Sequence, residues 1–177
     1  MFKILSLAGA AAAVFLFGSV ALAGGNGAQT FTQHAHDTNL PILSIVPPPD
    51  LPANCPIPLP AAIVPTSGNA VQHDTSNKTG FWFTTTTTAN VDIFAGVVID
   101  EDQDVAPTGP VLFTGKATLW FGDSDNLQNE ATHATLDFHG TSATDGSSLR
   151  IHANFGTTTN ANGVITAAPL NITCVVS

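Results

Sequence analysis

Two runs of strict alternation, residues 133–139 and 149–155, constrain this chain more than any other feature. Ala134, Leu136 and Phe138 are apolar, and His133, Thr135, Asp137 and His139 between them are polar. Leu149, Ile151, Ala153 and Phe155 repeat the pattern around Arg150, His152 and Asn154. A period of two over this length is the mark of a half-buried strand, because successive side chains point to opposite faces. Asp145-Gly146 lies between the runs, and that dipeptide suits a two-residue type I′ turn. A turn centred there sets His139 opposite His152, Asp137 opposite Asn154, and Leu136 opposite Phe155. Asn162-Gly163 offers a second such turn, which pairs Phe155 with Leu170 and Ile151 with Cys174. On the other side, a square closure of the loop after Gly122 sets Leu119 against Ala134, Trp120 beside His133, and Lys116 against Asp137.

The rest of the chain extends this reading. A basic start at Lys3, an apolar run from Ile4 to Val20 and Ala21-Leu22-Ala23 read as a cleaved signal peptide, residues 1–23. No cysteine follows the cleavage site and no apolar tail closes the chain, so a freely secreted protein without a stable membrane anchor is expected. Residues 24–65 read as an N-terminal strand followed by a proline-rich connector, with Pro47, Pro48, Pro49, Pro52, Pro56, Pro58 and Pro60. Proline cannot donate to a ladder, so this arm is expected to lie across the sheet. Residues 66–177 read as the antiparallel β domain. Short runs separated by Gly, Asn and Asp turns predict an all-β, single-domain antiparallel meander of about six to eight strands, either a small β-barrel or a β-sandwich. Its core is expected to gather Leu119, Phe121, Leu136, Phe138, Leu149, Ile151, Phe155, Leu170 and Ile172.

Charge excludes some partners. Removal of Lys3 from the four basic residues leaves three against 13 acidic ones, a formal charge of −10. Such a surface repels phosphate backbones, so no nucleic acid is expected as a partner. Cys55 and Cys174 are the only two cysteines, and an oxidising compartment pairs them.

Leu119-Trp120-Phe121-Gly122, Asn126, Gln128 and Asn129 form one distinctive stretch. Phe138-His139-Gly140-Thr141, Asp145-Gly146-Ser147, His152, Asn160-Ala161-Asn162-Gly163, the last cysteine and Thr30-Phe31-Thr32 continue it. In these the chain resembles a group of small secreted actinobacterial proteins. The resemblance implies a signal peptide, a compact β-rich domain and one cysteine pair. It implies no activity.

Chemistry-bearing motifs are sparse. There is no Gly-x-Ser-x-Gly elbow, no phosphate loop and no His-Glu-x-x-His pair. His139, His152 and Asp137 are the candidate ligands for zinc or another transition metal, since two imidazoles and a carboxylate can share one sheet face. His34 and His36 offer a second pair at i and i+2. Asp100, Glu101, Asp102 and Asp104 form one acidic loop; Asp123, Asp125, Asn129 and Glu130 form another, with oxygen ligands of the kind calcium takes. The threonine run 84–88 suits a strand, and a single run is too short a repeat to argue for ice binding. Asn77-Lys78-Thr79 and Asn171-Ile172-Thr173 match the glycosylation sequon. The favoured reading is a secreted, non-enzymatic scaffold that binds a protein, a glycan or a small ligand. The alternatives are a small-barrel enzyme of isomerase or cyclase type, with Asp137 moving the proton in an apolar lumen, or the His/Asp metal-binding protein.

Overall fold

The computed structural model describes residues 28–36, 43–45, 51–99, 105–126, 128–167 and 170–177. These residues hold nine strands and no helix: β1 (Gln29–His36), β2 (Leu43–Ile45), β3 (Ala61–Asn77), β4 (Gly80–Ile99), β5 (Val105–Asp125), β6 (Asn129–Ser142), β7 (Ser148–Asn160), β8 (Ile165–Ala167) and β9 (Leu170–Val176). All ladders are antiparallel, and the order is β1-β3-β4-β5-β6-β7-β8. β2 pairs with β3, and β9 pairs with β7. The expected all-β meander is therefore present. It is one sheet, so it is not a sandwich. Among the described residues no ladder joins its two edges, so it is not closed as a barrel either.

The central strands are longer than their hydrophobic runs suggest. The runs at 80–88 and 91–99 are one strand of 20 residues, and β5 has 21. Their polar stretches are threonine-rich, and a β-branched residue suits the pleat on either face. Pro65 is accommodated where the β3–β4 register shifts between Pro65 and Ser67, since proline cannot donate to a regular ladder.

Turn chemistry decides the registers. β6 and β7 are closed by Ser142, whose N–H donates to the Ser147 carbonyl at 2.8 Å. The loop between them is Ala143-Thr144-Asp145-Gly146, twice the length of a type I′ turn. Gly146 alone takes a positive φ, 75°. Each strand position is thus displaced by two residues from the expected pairing: Asp137 faces His152, His139 faces Arg150, and Leu136 faces Ala153. The β5–β6 pairing is displaced by two as well, because β5 continues past Gly122 to Asp125. Leu119 faces Leu136, Trp120 faces Thr135, and Lys116 faces His139. A shift of two preserves the face of every side chain. The β7–β9 register matches expectation, with Phe155 opposite Leu170 and Ile151 opposite Cys174.

The core lies at one end of the sheet's inner face. Ile57, Ala61, Ile63, Ala89, Val91, Ile93, Phe113, Ala117, Phe138, Leu149, Ile151 and Cys174 form one buried cluster, with Leu51, Cys55, Leu112, Leu136 and Ile172 packed against it. Ile93 and Leu149 are completely buried. The arm, residues 51–60, packs on this cluster through Leu51, Cys55 and Ile57. The arm is held there by the Cys55–Cys174 disulfide and by Asn54 Nδ2, which donates to the Cys174 carbonyl at 2.8 Å. Its bridge spans 119 residues of sequence, a loop long enough to restrict the unfolded chain by up to about 4–5 kcal/mol. Of the expected core, Phe138, Leu149 and Ile151 are buried, and Leu136 and Ile172 are partly buried against them. Leu119, Phe121 and Phe155 share the inner face but are only half-buried, because the arm covers the other end. The Leu170 side chain lies outside the described residues, as do the side chains of β2.

Phe138→Ala should cost about 3–5 kcal/mol in denaturant unfolding, from lost burial plus the cavity left behind. His133→Ala, on the exposed face, should leave the midpoint nearly unchanged; equal losses would mean that both faces are enclosed.

A second expectation concerns the β6–β7 turn. The Asp145 carboxylate accepts the Ser147 N–H at 3.0 Å and its hydroxyl at 2.8 Å. The Ser147 backbone bond first, then the Ser142 and Ser147 hydroxyls, hold this carboxyl down at about 2, from an ordinary 3.8. A depressed carboxyl stabilises the folded form above its ordinary value, and that contribution is lost as pH falls through about 2. Carboxyl-carbon NMR titration should place the Asp145 midpoint near pH 2. A midpoint near 3.8 would mean that the turn is open in solution.

Candidate functional site

The outer face of the sheet carries the polar residues of the alternation. All six histidines lie on it: His34 and His36 on β1, His73 on β3, His133 and His139 on β6, and His152 on β7. Register brings one pair together. His152 Nδ1 and Asp137 Oδ1 are 2.7 Å apart, with side-chain exposures of 45% and 62%. Asn154 Nδ2 lies 2.8 Å from His152 Nε2, and Asn154 Oδ1 accepts the Thr135 hydroxyl at 2.9 Å. An amide nitrogen can only donate, so Nε2 accepts and the proton sits on Nδ1, pointing at Asp137. The Asp137–His152–Asn154–Thr135 row is thus internally hydrogen-bonded.

The same register separates the proposed metal ligands. His139 stands between Lys116 and Arg150 on the neighbouring strands, and only its diagonal reaches His152. Two cations beside an imidazole oppose a divalent ion. Lys116, expected to engage Asp137, faces His139 instead. Among the described residues, no three His, Cys, Asp or Glu side chains are grouped to hold a metal ion. His36 Nδ1 is bonded to Asn69 Oδ1 at 3.0 Å, and His34 faces Val71. In the calcium candidate, Asp123 accepts the Thr132 hydroxyl at 3.1 Å and Asp125 faces Glu130. Acidic loop 100–104 lies outside the described residues. The proton-transfer alternative needs Asp137 in an apolar lumen; Asp137 is on the exposed face of an unclosed sheet.

Aromatic rings mark the same outer face. Trp82 and Trp120 are 41% and 38% exposed. Trp120 lies down over buried Gly122: a Cβ built on that glycine would stand 2.6 Å from the indole Cη2. His133 lies over Gly156 in the same way, 2.9 Å from such a Cβ at Nδ1. Thr84, Thr86 and Thr88 surround these rings, whereas Thr85 and Thr87 point inward. Beside the outward threonines on β5 stand Gly122, Trp120 and Thr118, so no regular threonine array extends across the strands.

The inner face beyond the core holds a second polar group that the linear pattern did not reveal. Gln33 faces Gln72, which faces Thr85, and Asp74 stands between Phe31 and Phe83. Gln72 Nε2 donates to both Asp74 oxygens, at 2.8 and 3.0 Å. Phe83 packs on Phe121 with ring centroids 5.5 Å apart. Gln33 Oε1 is buried without a hydrogen-bond partner among the described residues. The parity of Phe81 and Phe83 against Thr84 was the available signal for this half-buried patch, but the threonine run on both faces obscures it.

Calorimetric titration with zinc at neutral pH should give no binding that depends on His139 and His152 together. Tight binding lost in both His139→Ala and His152→Ala would reinstate the three-ligand site.

No family, curated protein or solved structure matches the chain.

Proposed function

We propose that the mature chain is a secreted, non-enzymatic β-scaffold whose outer sheet face binds a partner. The observation that carries this reading is the pair of half-exposed indoles on that face. Exposed single apolar residues are ordinary, but tryptophan is the residue most concentrated in binding hot spots. The face also has the right rigidity. It is made of long, continuous strands rather than loops, so little conformational entropy is lost on binding. Its charges are balanced, with Asp92 and Asp137 against Lys116 and Arg150 on the outward rungs. Secretion is supported by the signal-like start and by the Cys55–Cys174 bond. No described helix is long and apolar enough to cross a membrane.

Sedimentation with the insoluble envelope of the producing cells tests the reading. The wild type should be retained, and a Trp82→Ala/Trp120→Ala variant with an unchanged far-ultraviolet spectrum should not. The inner-face variant Phe83→Leu should behave as wild type. Retention equal in all three, or absent in all, would defeat the assignment of binding to this face.

A further inference from the structure

The arrangement of the outer face says more than that it binds. A pyranose ring is amphipathic: its C–H groups form an apolar plate, and its hydroxyls project from the rim. A receptor for it needs a flat, accessible aromatic plate with neutral donors and acceptors around the edge. Trp120 supplies such a plate. Gly122 has no side chain to prop the indole up, so the tip of its six-membered ring lies over that glycine, and 38% of the residue is left exposed. Around it stand Thr84, Thr86, Thr135 and His133, all hydroxyl or imidazole groups.

Trp82 makes the site longer than one ring. It faces Ser124, four positions along β5 from Trp120, about 14 Å at the rise of a strand. Trp120 leans over Gly122, toward Trp82, which shortens that gap. Two plates at such a separation suit two non-adjacent units of one chain rather than one free sugar. The charge pattern selects among chains. Lys116 and Arg150 are on a rung beyond Thr118, away from both indoles, and the whole protein carries a formal charge of −9. A polyanion is repelled by the molecule and finds no cation at the aromatic plates.

We propose that the outer face binds a neutral polysaccharide, with sugar rings stacked on Trp120 and Trp82. The inference rests on the binding-module reading and names its ligand class.

The chain has two tryptophans and no tyrosine, so its long-wavelength fluorescence reports this face alone. The experiment titrates the full secreted protein with hydroxyethylcellulose, a mannan, an arabinogalactan and, as polyanion, alginate. Each is followed by tryptophan emission and by retardation in gels containing the polymer. At least one neutral polymer should retard the wild type and shift its emission to the blue, and alginate should do neither. Trp120→Ala and Trp82→Ala should each weaken retardation by about tenfold or more, as loss of a tryptophan hot spot does. Gly122→Ala keeps both indoles but unseats one, and because only a ring tip must move, the fold should survive; it too should bind more weakly. No response to any neutral polymer, retardation that survives both tryptophan replacements, or an equal response to alginate would overturn the proposal. Tryptophan-dependent retention on the envelope without a response to neutral polymers would sink the polysaccharide while leaving the module reading intact. Retention indifferent to the tryptophans would sink both.

Discussion

The covalent tie between Cys55 and Cys174 decides which part of the sheet becomes core. A single sheet has too much inner face for its own side chains to cover. The tie holds residues 51–60 against one end, where Ile57 joins Ile63, Ile93, Phe113 and Leu149. At the other end the same face holds Gln33, Gln72, Asp74 and Thr85 beside half-buried phenylalanines. Polar groups can face inward there because the arm does not reach them. The gradient along the strands, apolar beneath the arm and mixed beyond it, follows from where ten residues are fastened.

Fold class and face assignment were legible in the sequence because both rest on parity. Every expected inward residue of the 133–139 and 149–155 runs does face inward, and every polar one faces out. Register was less legible, because neither Gly-containing turn is the two-residue type I′ turn expected. Around Asn162-Gly163 the loop is three residues long, closed by the Asn160 N–H on the Val164 carbonyl, and a compensating shift restores the register. Asn162-Gly163 does lie in the β7–β8 loop, with Gly163 at a positive φ, and the one-residue shift between Thr158 and Thr159 brings β9 into the expected pairing. Asp145-Gly146 misled, because a four-residue loop also places glycine at its left-handed position. The dipeptide alone does not distinguish the two lengths. The deciding residue was Ser142, whose hydroxyl accepts from the Thr144 and Asp145 N–H groups and so favours the longer turn.

That slip of two residues separates a fold from a site. Core packing tolerates it, since Leu136 meets Ala153 rather than Phe155 and remains inside. A metal site does not, since its ligands must meet within a bond length or two. The displacement moved His139 from His152 to Arg150, and gave Asp137 an imidazole in place of an amide. The result is a self-satisfied hydrogen-bonded row instead of an open ligand set. Chemical sites are therefore less readable than cores from alternation, even where every residue is on the expected face.

One local device appears on both faces and has opposite consequences. Phe138 lies against Gly140 on the inside, and Trp120 lies against Gly122 on the outside. In each case a glycine two positions along the strand leaves a slot that an aromatic ring fills. For Phe138 the ring disappears into the core, and its burial stabilises the fold by the ordinary transfer of apolar surface from water. For Trp120 more than a third of the residue remains in water, so a matching share of that gain is forgone. A ring seated this firmly, yet left uncovered, has its remaining apolar face available to whatever next excludes water from it. Stability accounts for the seat of Trp120; the proposed ligand would account for its exposure.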